Sequence, residues 1–335
     1  MASIQVLDSR VAELIAAGEV VDRPASVAKE LIENALDAGA HRISIELRQG
    51  GITYLRVTDD GCGMTREDIP RAFIRHATSK IRDAEDLDRI GTLGFRGEAL
   101  PSVAAVARVT LLTRTGDNPL GCRYRMDGSS SQPKTEDAGC AVGTTIEVRD
   151  LFYNTPARMK FLKKDVTEGN AIASLVDRLA LANPGVAFEL IREGQRKLAT
   201  PGDGDLLATI RLVCGGELAA QMIPVSLESE GMPVTGYISR PSVCRSTRTM
   251  QTFFINARYV RSKTCVSAVE EAYKNRLMTG RFPACVLNLG IEPSLVDVNV
   301  HPAKLEVRFS SERTVYNAVY AACAAALEQN DHPLP

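Results

Sequence analysis

The chain lacks several features that would place it in a class at once. Its 8 cysteines include no C-x-x-C pair, and it has only 4 histidines. A zinc site built on paired cysteines is therefore excluded, and reduced thiols of an intracellular protein fit better than a disulfide framework. Met1 to Arg10 has neither the basic segment nor the apolar run of a secretory signal. No apolar run approaches the roughly 20 residues needed to span a bilayer, so a soluble protein without membrane association is expected. The formal net charge is −1, and no global excess points to an acidic or basic partner. No G-x-x-x-x-G-K-[ST] segment is present, which excludes a P-loop, and the Gly-rich stretch does not follow a strand as a dinucleotide fingerprint requires.

What the chain does have is 44% hydrophobic residues over 335 positions, enough for one large domain or two ordinary ones. The organising stretch is KELIENALDAGA, Lys29 to Ala40. As a helix it places Glu30, Asn34 and Asp37 on one face, with Glu33 at the edge. Leu31, Ile32, Ala35, Leu36 and Ala38 form the opposite, core-facing side, and Gly39 stops the helix. The polar stripe itself carries no cation. A carboxylate and an amide oxygen one turn apart suit a hard metal ion and a water, although an acidic surface helix would look similar.

Around this helix the pattern predicts an arm at Met1 to Leu7 and a short helix near Val11 to Ala17. Strands follow at Arg42 to Arg48 and Ile52 to Thr58, a helix-then-hairpin order typical of α+β folds. The second strand runs into Asp59-Asp60-Gly61-Cys62-Gly63, where glycines allow a sharp turn and close approach to a ligand. A carboxylate there can accept a hydrogen bond from an exocyclic amine such as adenine's, and an ordinary Asp-Gly turn reads from the same residues. Gly91, Gly94 and Gly97 precede a run of helix formers, either a phosphate-holding loop or a plain connection. Between Lys80 and that loop, Ile81 to Arg89 is a charged, movable-looking segment, and Asp127 to Ala138 reads as polar loop. Further strands are expected at Ala107 to Arg114, Arg123 to Met126, Gly143 to Val148 and Val186 to Arg192, with helices at Glu168 to Ala182 and Asp205 to Val213.

Glu30 with Asn34, Asp59-x-Gly61-x-Gly63, Gly94-x-x-Gly97 and Gly143-Thr144-Thr145 occur in the order of the four motifs of the GHKL ATPases, and the chain resembles that superfamily. Longer blocks resemble its MutL branch, the DNA mismatch repair ATPases. These are GEVVDRPASVAKELIENALDAGA, RHATSKI, GTLGFRGEAL, DLFYNTPAR and VDVNVHPAKLEVRF. Asp60 stands where many relatives have Asn. The resemblance implies a Bergerat-type ATPase sandwich of mixed sheet and helices, followed by a smaller α+β domain similar to a ribosomal protein. The boundary is expected between Val213 and Val225, giving domains of 1–218 and 219–335.

The resemblance also implies roles. Glu30 would be the general base that activates water, and Asn34 would ligate Mg²⁺ carried by ATP. Asp59 would read the adenine amino group, with Gly63 nearby and Thr144 or Thr145 in support. Ser79, Lys80, Gly94, Phe95, Arg96 and Gly97 would form a lid over the triphosphate. Lys304 would reach the γ-phosphate from the second domain. His301 is read as structural. Arg240 to Arg281 holds nine cations against two carboxylates, a surplus of seven and a reasonable footprint for the phosphate backbone of single- or double-stranded DNA without sequence preference. Arg258, Arg261 and Lys263 are its candidates.

The implied function is a slow, Mg²⁺-dependent ATPase of mismatch repair. It would homodimerise on ATP and signal to DNA, a mismatch-recognition protein and other repair factors, in the cytoplasm and at the nucleoid. The other reading is a nucleic-acid-binding module with a vestigial nucleotide pocket. A histidine kinase would need a phosphoacceptor helix ahead of the ATPase region, and a topoisomerase a strand-cleaving tyrosine module. Asp331 to Pro335 reads as the edge of a linker, and any nicking site would lie outside the chain.

Overall fold

The computed structural model describes residues 8–78, 97–128, 132–297 and 307–330. The chain divides into two units, Met1–Asp177 with Gly185–Asp203, and Arg178–Pro184 with Gly204–Pro335.

The first unit opens with helices α1 (Ser9–Val20) and α2 (Pro24–Asp37). Pro24 starts α2 with its φ preset and no N–H to lose, and Gly39 closes it at φ 72°. The hairpin β1 (Arg42–Arg48) and β2 (Tyr54–Asp59) follows, then the short helix α3 (Asp68–Ala72) and α4 (Ala99–Val106). Next come β3 (Arg108–Arg114), β4 (Gly121–Asp127), β5 (Lys134–Ala138) and β6 (Gly143–Arg149). The unit is completed by α5 (Pro156–Met159), most of α6 (Asp165–Ala182), β7 (Ala187–Arg192) and β8 (Gln195–Ala199). The eight strands form one sheet in the order β5-β4-β3-β6-β2-β1-β7-β8, mostly antiparallel with β1 and β7 parallel. The expected sandwich of mixed sheet and helices is present.

One face of the sheet is apolar by simple alternation. Ile43, Ile45 and Leu47 of β1, Leu55 and Val57 of β2, and Ile146 and Val148 of β6 are all buried, as are Val27, Leu31 and Ile32 of α2. The start of α2 is also tied to α6. Arg23 donates from Nε and Nη2 to Glu168 Oε2 at 3.1 and 2.9 Å, and the Lys163 N–H donates to Glu168 Oε1 at 3.0 Å.

The second unit begins with α7 (Leu206–Cys214) and α8 (Gly216–Ala219). Strands β9 (Met222–Ser229), β10 (Met232–Ser239), β11 (Cys244–Arg245), β12 (Gln251–Ile255) and β13 (Arg258–Val260) precede helix α9 (Lys263–Ala272). The short β14 (Phe282–Pro283) pairs with β11, and β15 (Cys285–Leu289) enters the main sheet. The pair β16 (Val296–Asp297) and β17 (Arg308–Phe309) and the helix α10 (Glu312–Gln329) close the unit. Its main sheet runs β13-β12-β15-β10-β9. Alternate residues feed two cores. Phe253, Ile255, Leu287 and Val225 pack with α9 and α10, while Phe254, Val286 and Met222 pack with Ile210, Leu218 and Ala219.

Three elements differ from the sequence reading. Lys134–Ala138, read as loop, is an edge strand whose residues are nearly all exposed, so it carries no apolar alternation. Pro224, within the stretch where the domain boundary is expected, lies inside β9, an edge strand where a missing N–H is tolerated. Consequently α7 and α8, placed by the sequence ahead of the 218/219 boundary, share a core with the second unit's sheet.

Candidate functional site

Helix α2 presents Glu30 and Asn34 as spacing predicts, both partly exposed. The stripe is less bare of cations than its sequence implied. Lys29 Nζ lies 3.1 Å from Glu30 Oε1 and 2.8 Å from Glu33 Oε2. Burial alone would lower the Lys29 pKa, but the two carboxylates together carry it above its usual value. The flexible lysine stem lets a residue outside the stripe reach over it, which wheel positions do not show.

The turn after β2 packs against the end of α2. The Cys62 N–H donates to the Ala38 carbonyl at 3.1 Å. Asp60 Oδ1 accepts the His41 and Arg42 N–H groups, both at 2.8 Å. An Asn could accept both through its own side-chain oxygen, which accounts for Asp or Asn at this position. Asp59 sits directly across the ladder from Thr144, and Thr144 across from Thr113. These three therefore share one sheet face, whereas Thr145 faces the other way and bonds Thr58 Oγ1 at 3.2 Å. Asp59 Oδ1 accepts the Gly61 N–H at 2.9 Å and the Thr144 N–H at 3.2 Å. Burial raises the Asp59 pKa, and these two N–H groups offset it only in part.

Thr113 was not singled out in the sequence, where it reads as one polar residue in a strand. It is buried and central. It accepts the Met64 N–H at 2.9 Å, donates to the Gly143 carbonyl at 2.9 Å, and lies 3.0 Å from Thr144 Oγ1. Near α4, the His76 N–H donates to the Gly97 carbonyl at 3.1 Å, a contact between described residues on either side of 79–96. Ser79, Lys80, Gly94, Phe95 and Arg96 lie outside the described residues, as do Ile81 to Arg89, the arm Met1 to Leu7, His301 and Lys304.

Among the described residues no group of three His, Cys, Asp or Glu side chains could hold a metal alone. One amide oxygen beside one carboxylate fits Mg²⁺ that arrives with phosphates and keeps its waters. In the second unit, Arg261 and Lys263 are exposed on either side of Ser262, the N-cap of α9, and Arg258 is half-buried and engaged. Of the nine cations counted in the sequence, Arg248 and Lys274 are paired to Glu270 and Glu271, the two carboxylates of that stretch.

The fold and the order of the motifs along it define a class. Residues 23–137 match the family of histidine kinase-, DNA gyrase B- and HSP90-like ATPases. Residues 210–328 match the DNA mismatch repair protein, C-terminal domain family. The chain belongs to the MutL family of DNA mismatch repair proteins, corresponding to its N-terminal ATPase region. It is 51% identical over 327 residues to the mismatch repair protein MutL of Symbiobacterium thermophilum, covering 98% of this chain and 51% of that protein. It is also 51% identical to MutL of Desulforudis audaxviator, over 98% of this chain and 58% of that protein. The chain thus spans about half the length of the curated relatives it matches. A crystal structure of the N-terminal domain of a DNA repair protein superposes with a TM-score of 0.81 at 26% identity, covering 97% of this chain and 100% of that one. The Aquifex aeolicus MutL ATPase domain complexed with ADP superposes with a TM-score of 0.66 at 24% identity, over 94% and 100% of the two chains.

Proposed function

We propose that this chain binds Mg²⁺·ATP, hydrolyses it slowly and uses the cycle as a conformational switch in DNA mismatch repair. The observation that carries this reading is the shared frame of Asp59, Thr144 and α2. The turn that holds Asp59 packs on the end of the helix that presents Glu30 and Asn34, so the base-reading and hydrolytic groups belong to one rigid piece. Asp59 takes the adenine amino group, Asn34 holds Mg²⁺ through its amide oxygen, and Glu30 orients and deprotonates the attacking water. Thr144 supports the base; Thr145, turned to the other face, does not.

Lid residues Ser79, Lys80, Gly94, Phe95, Arg96 and Gly97 close over the phosphates, and Lys304 meets the γ-phosphate. ATP then favours a homodimer docked through the arm, and dimerisation tightens ATP binding by the same factor, because coupling is reciprocal. Arg258, Arg261 and Lys263 contact DNA phosphates without reading bases. A vestigial pocket is disfavoured because every described residue of the set is present.

ATP turnover measured against protein concentration, with and without single-stranded DNA, tests the switch, and specific activity should rise with concentration. Glu30→Ala should abolish turnover and retain ATP binding. Turnover at the wild-type rate in that variant would remove Glu30 from the chemistry.

A further inference from the structure

We infer that Thr113 is a positioning residue that fixes the proton of the Thr144 hydroxyl and so makes the base-reading wall acceptor-only. The inference rests on the adenine-nucleotide reading of the site.

Proton counting at the Thr113 oxygen carries it. A hydroxyl has one proton and two lone pairs. The Gly143 carbonyl can only accept, so it takes the Thr113 proton, at 2.9 Å. The Met64 N–H can only donate, so it occupies one lone pair, also at 2.9 Å. One lone pair then remains for the contact with Thr144 Oγ1 at 3.0 Å. Thr144 must fill it with its own proton. The opposite arrangement would leave the Thr144 proton without a partner in this network and the Gly143 carbonyl without the Thr113 bond. Thr113 is 1% exposed and Thr144 6%, so water is not at hand to repair such a defect.

Two consequences follow for the site. Thr144 has spent its proton inward, and its oxygen offers only lone pairs. Asp59, opposite Thr144 on the ladder, is a carboxylate and likewise only accepts when ionised. A separate bond, from the Met64 N–H to Thr113, anchors the end of the turn that carries Asp59. A wall of acceptors favours a purine with an amino group at position 6 over one with an oxo group there. Discrimination of this kind depends on the buried groups having no freedom to turn. Thr113 removes that freedom for Thr144 without touching the nucleotide.

The test is calorimetric titration of the full chain with Mg·ADP and Mg·IDP, two diphosphates whose bases differ at position 6 and which cannot be hydrolysed at a γ-phosphate. The wild type should prefer ADP. Thr113→Val, close in shape but without the hydroxyl, should weaken ADP at least about tenfold and narrow the ADP/IDP preference, because Thr144 can then rotate and donate. Thr113→Ser keeps the hydroxyl and should keep the preference. Thr144→Val leaves Thr113 bonded to Met64 and Gly143 and should also narrow it, a second route if the valine at 113 prevents folding.

A wild-type ADP/IDP ratio in Thr113→Val or in Thr144→Val overturns the inference while leaving the nucleotide site intact. Loss of the preference in Thr113→Ser overturns it as well. A wild-type protein that binds neither ADP nor ATP is a different result, which removes the nucleotide reading itself and the inference with it.

Discussion

Asp59→Asn should separate binding from folding, because the carboxylate proposed to read the base is a burden on the empty fold. Its pKa is raised, burial being the largest cause, with the Gly61 and Thr144 N–H groups offsetting only part. A carboxyl raised by folding contributes most to stability below the ordinary Asp range, and that contribution is lost as pH rises through its raised value. At neutral pH the ionised group therefore works against the apo fold. Asparagine removes the charge, and its Oδ1 can still accept both N–H groups. Apo stability of the variant at pH 7 should equal or exceed wild type, and the advantage should vanish as pH falls below the normal Asp pKa. Binding should move the other way. One charge-assisted hydrogen bond, about 1.5–3 kcal/mol, is replaced by an amide N–H facing the adenine amine. That corresponds to a loss of roughly 10- to 160-fold in affinity. Urea melts from about pH 3 to pH 8, a range that crosses the normal Asp value, and calorimetric titration with a non-hydrolysable ATP analogue measure both arms. Wild-type affinity would refute the base-reading role, and a large loss of apo stability at pH 7 would refute the account of the buried charge.

Three further outcomes are expected. Asn34→Ala should weaken Mg²⁺-dependent ATP binding and leave Mg²⁺-free nucleotide binding unchanged; equal weakening in EDTA would take the metal away from Asn34. Arg23→Ala should destabilise the fold by about 3–5 kcal/mol, because Glu168, whose side chain is 2% exposed, loses its cation. Glu168→Ala should cost less, because Arg23 is 33% exposed and can turn to water, and the reverse order in denaturant melts would contradict this. Charge reversal at Arg261 and Lys263 should weaken binding to all DNA sequences alike and flatten the salt dependence, with ATP binding unaffected. An unchanged salt slope would clear that surface of DNA.

The legible parts of the fold were those with a period. Helix α2, β1, β3 and β7 lie close to their expected positions because each buries one face and exposes the other. The edge strands β5 and β8 were not legible, since an edge strand with little buried side chain has no alternation to display. In β9, a proline tolerated only at an edge masked the alternation of Ile223, Val225 and Leu227. In the candidate site, Glu30, Asn34 and Asp59 were legible through motif order and resemblance, which left Thr144 and Thr145 open; cross-strand register puts Thr144 on the face of Asp59. Thr113 and Lys29 were not legible, because one acts through cross-strand register and the other through the reach of its side chain.

The glycines of the second motif were read as room for a sharp turn and a ligand, and the structure gives Gly63, together with Gly143 of the fourth motif, a further task. A side chain on Gly63, at φ 71°, would stand 2.1 Å from the Arg114 carbonyl oxygen. One on Gly143, at φ 118°, would stand 2.1 Å from the carbonyl oxygen of Asp59. Each glycine seats the backbone of another segment of the site. Gly63 receives the end of β3, and Gly143, which begins β6, receives the end of β2 where Asp59 stands. Thr113 lies one residue before Arg114 and hydrogen-bonds both glycine neighbourhoods, through Met64 and through Gly143 itself. Motifs 80 residues apart in the chain are thus one packed unit, and the spacing of the glycines reports contacts between motifs before any contact with a nucleotide. An alanine at either position would be strained by its φ and by the backbone opposite. The damage would reach Asp59 and Thr144 together, through the close approach of their strands, even though neither glycine supplies a side chain to the ligand.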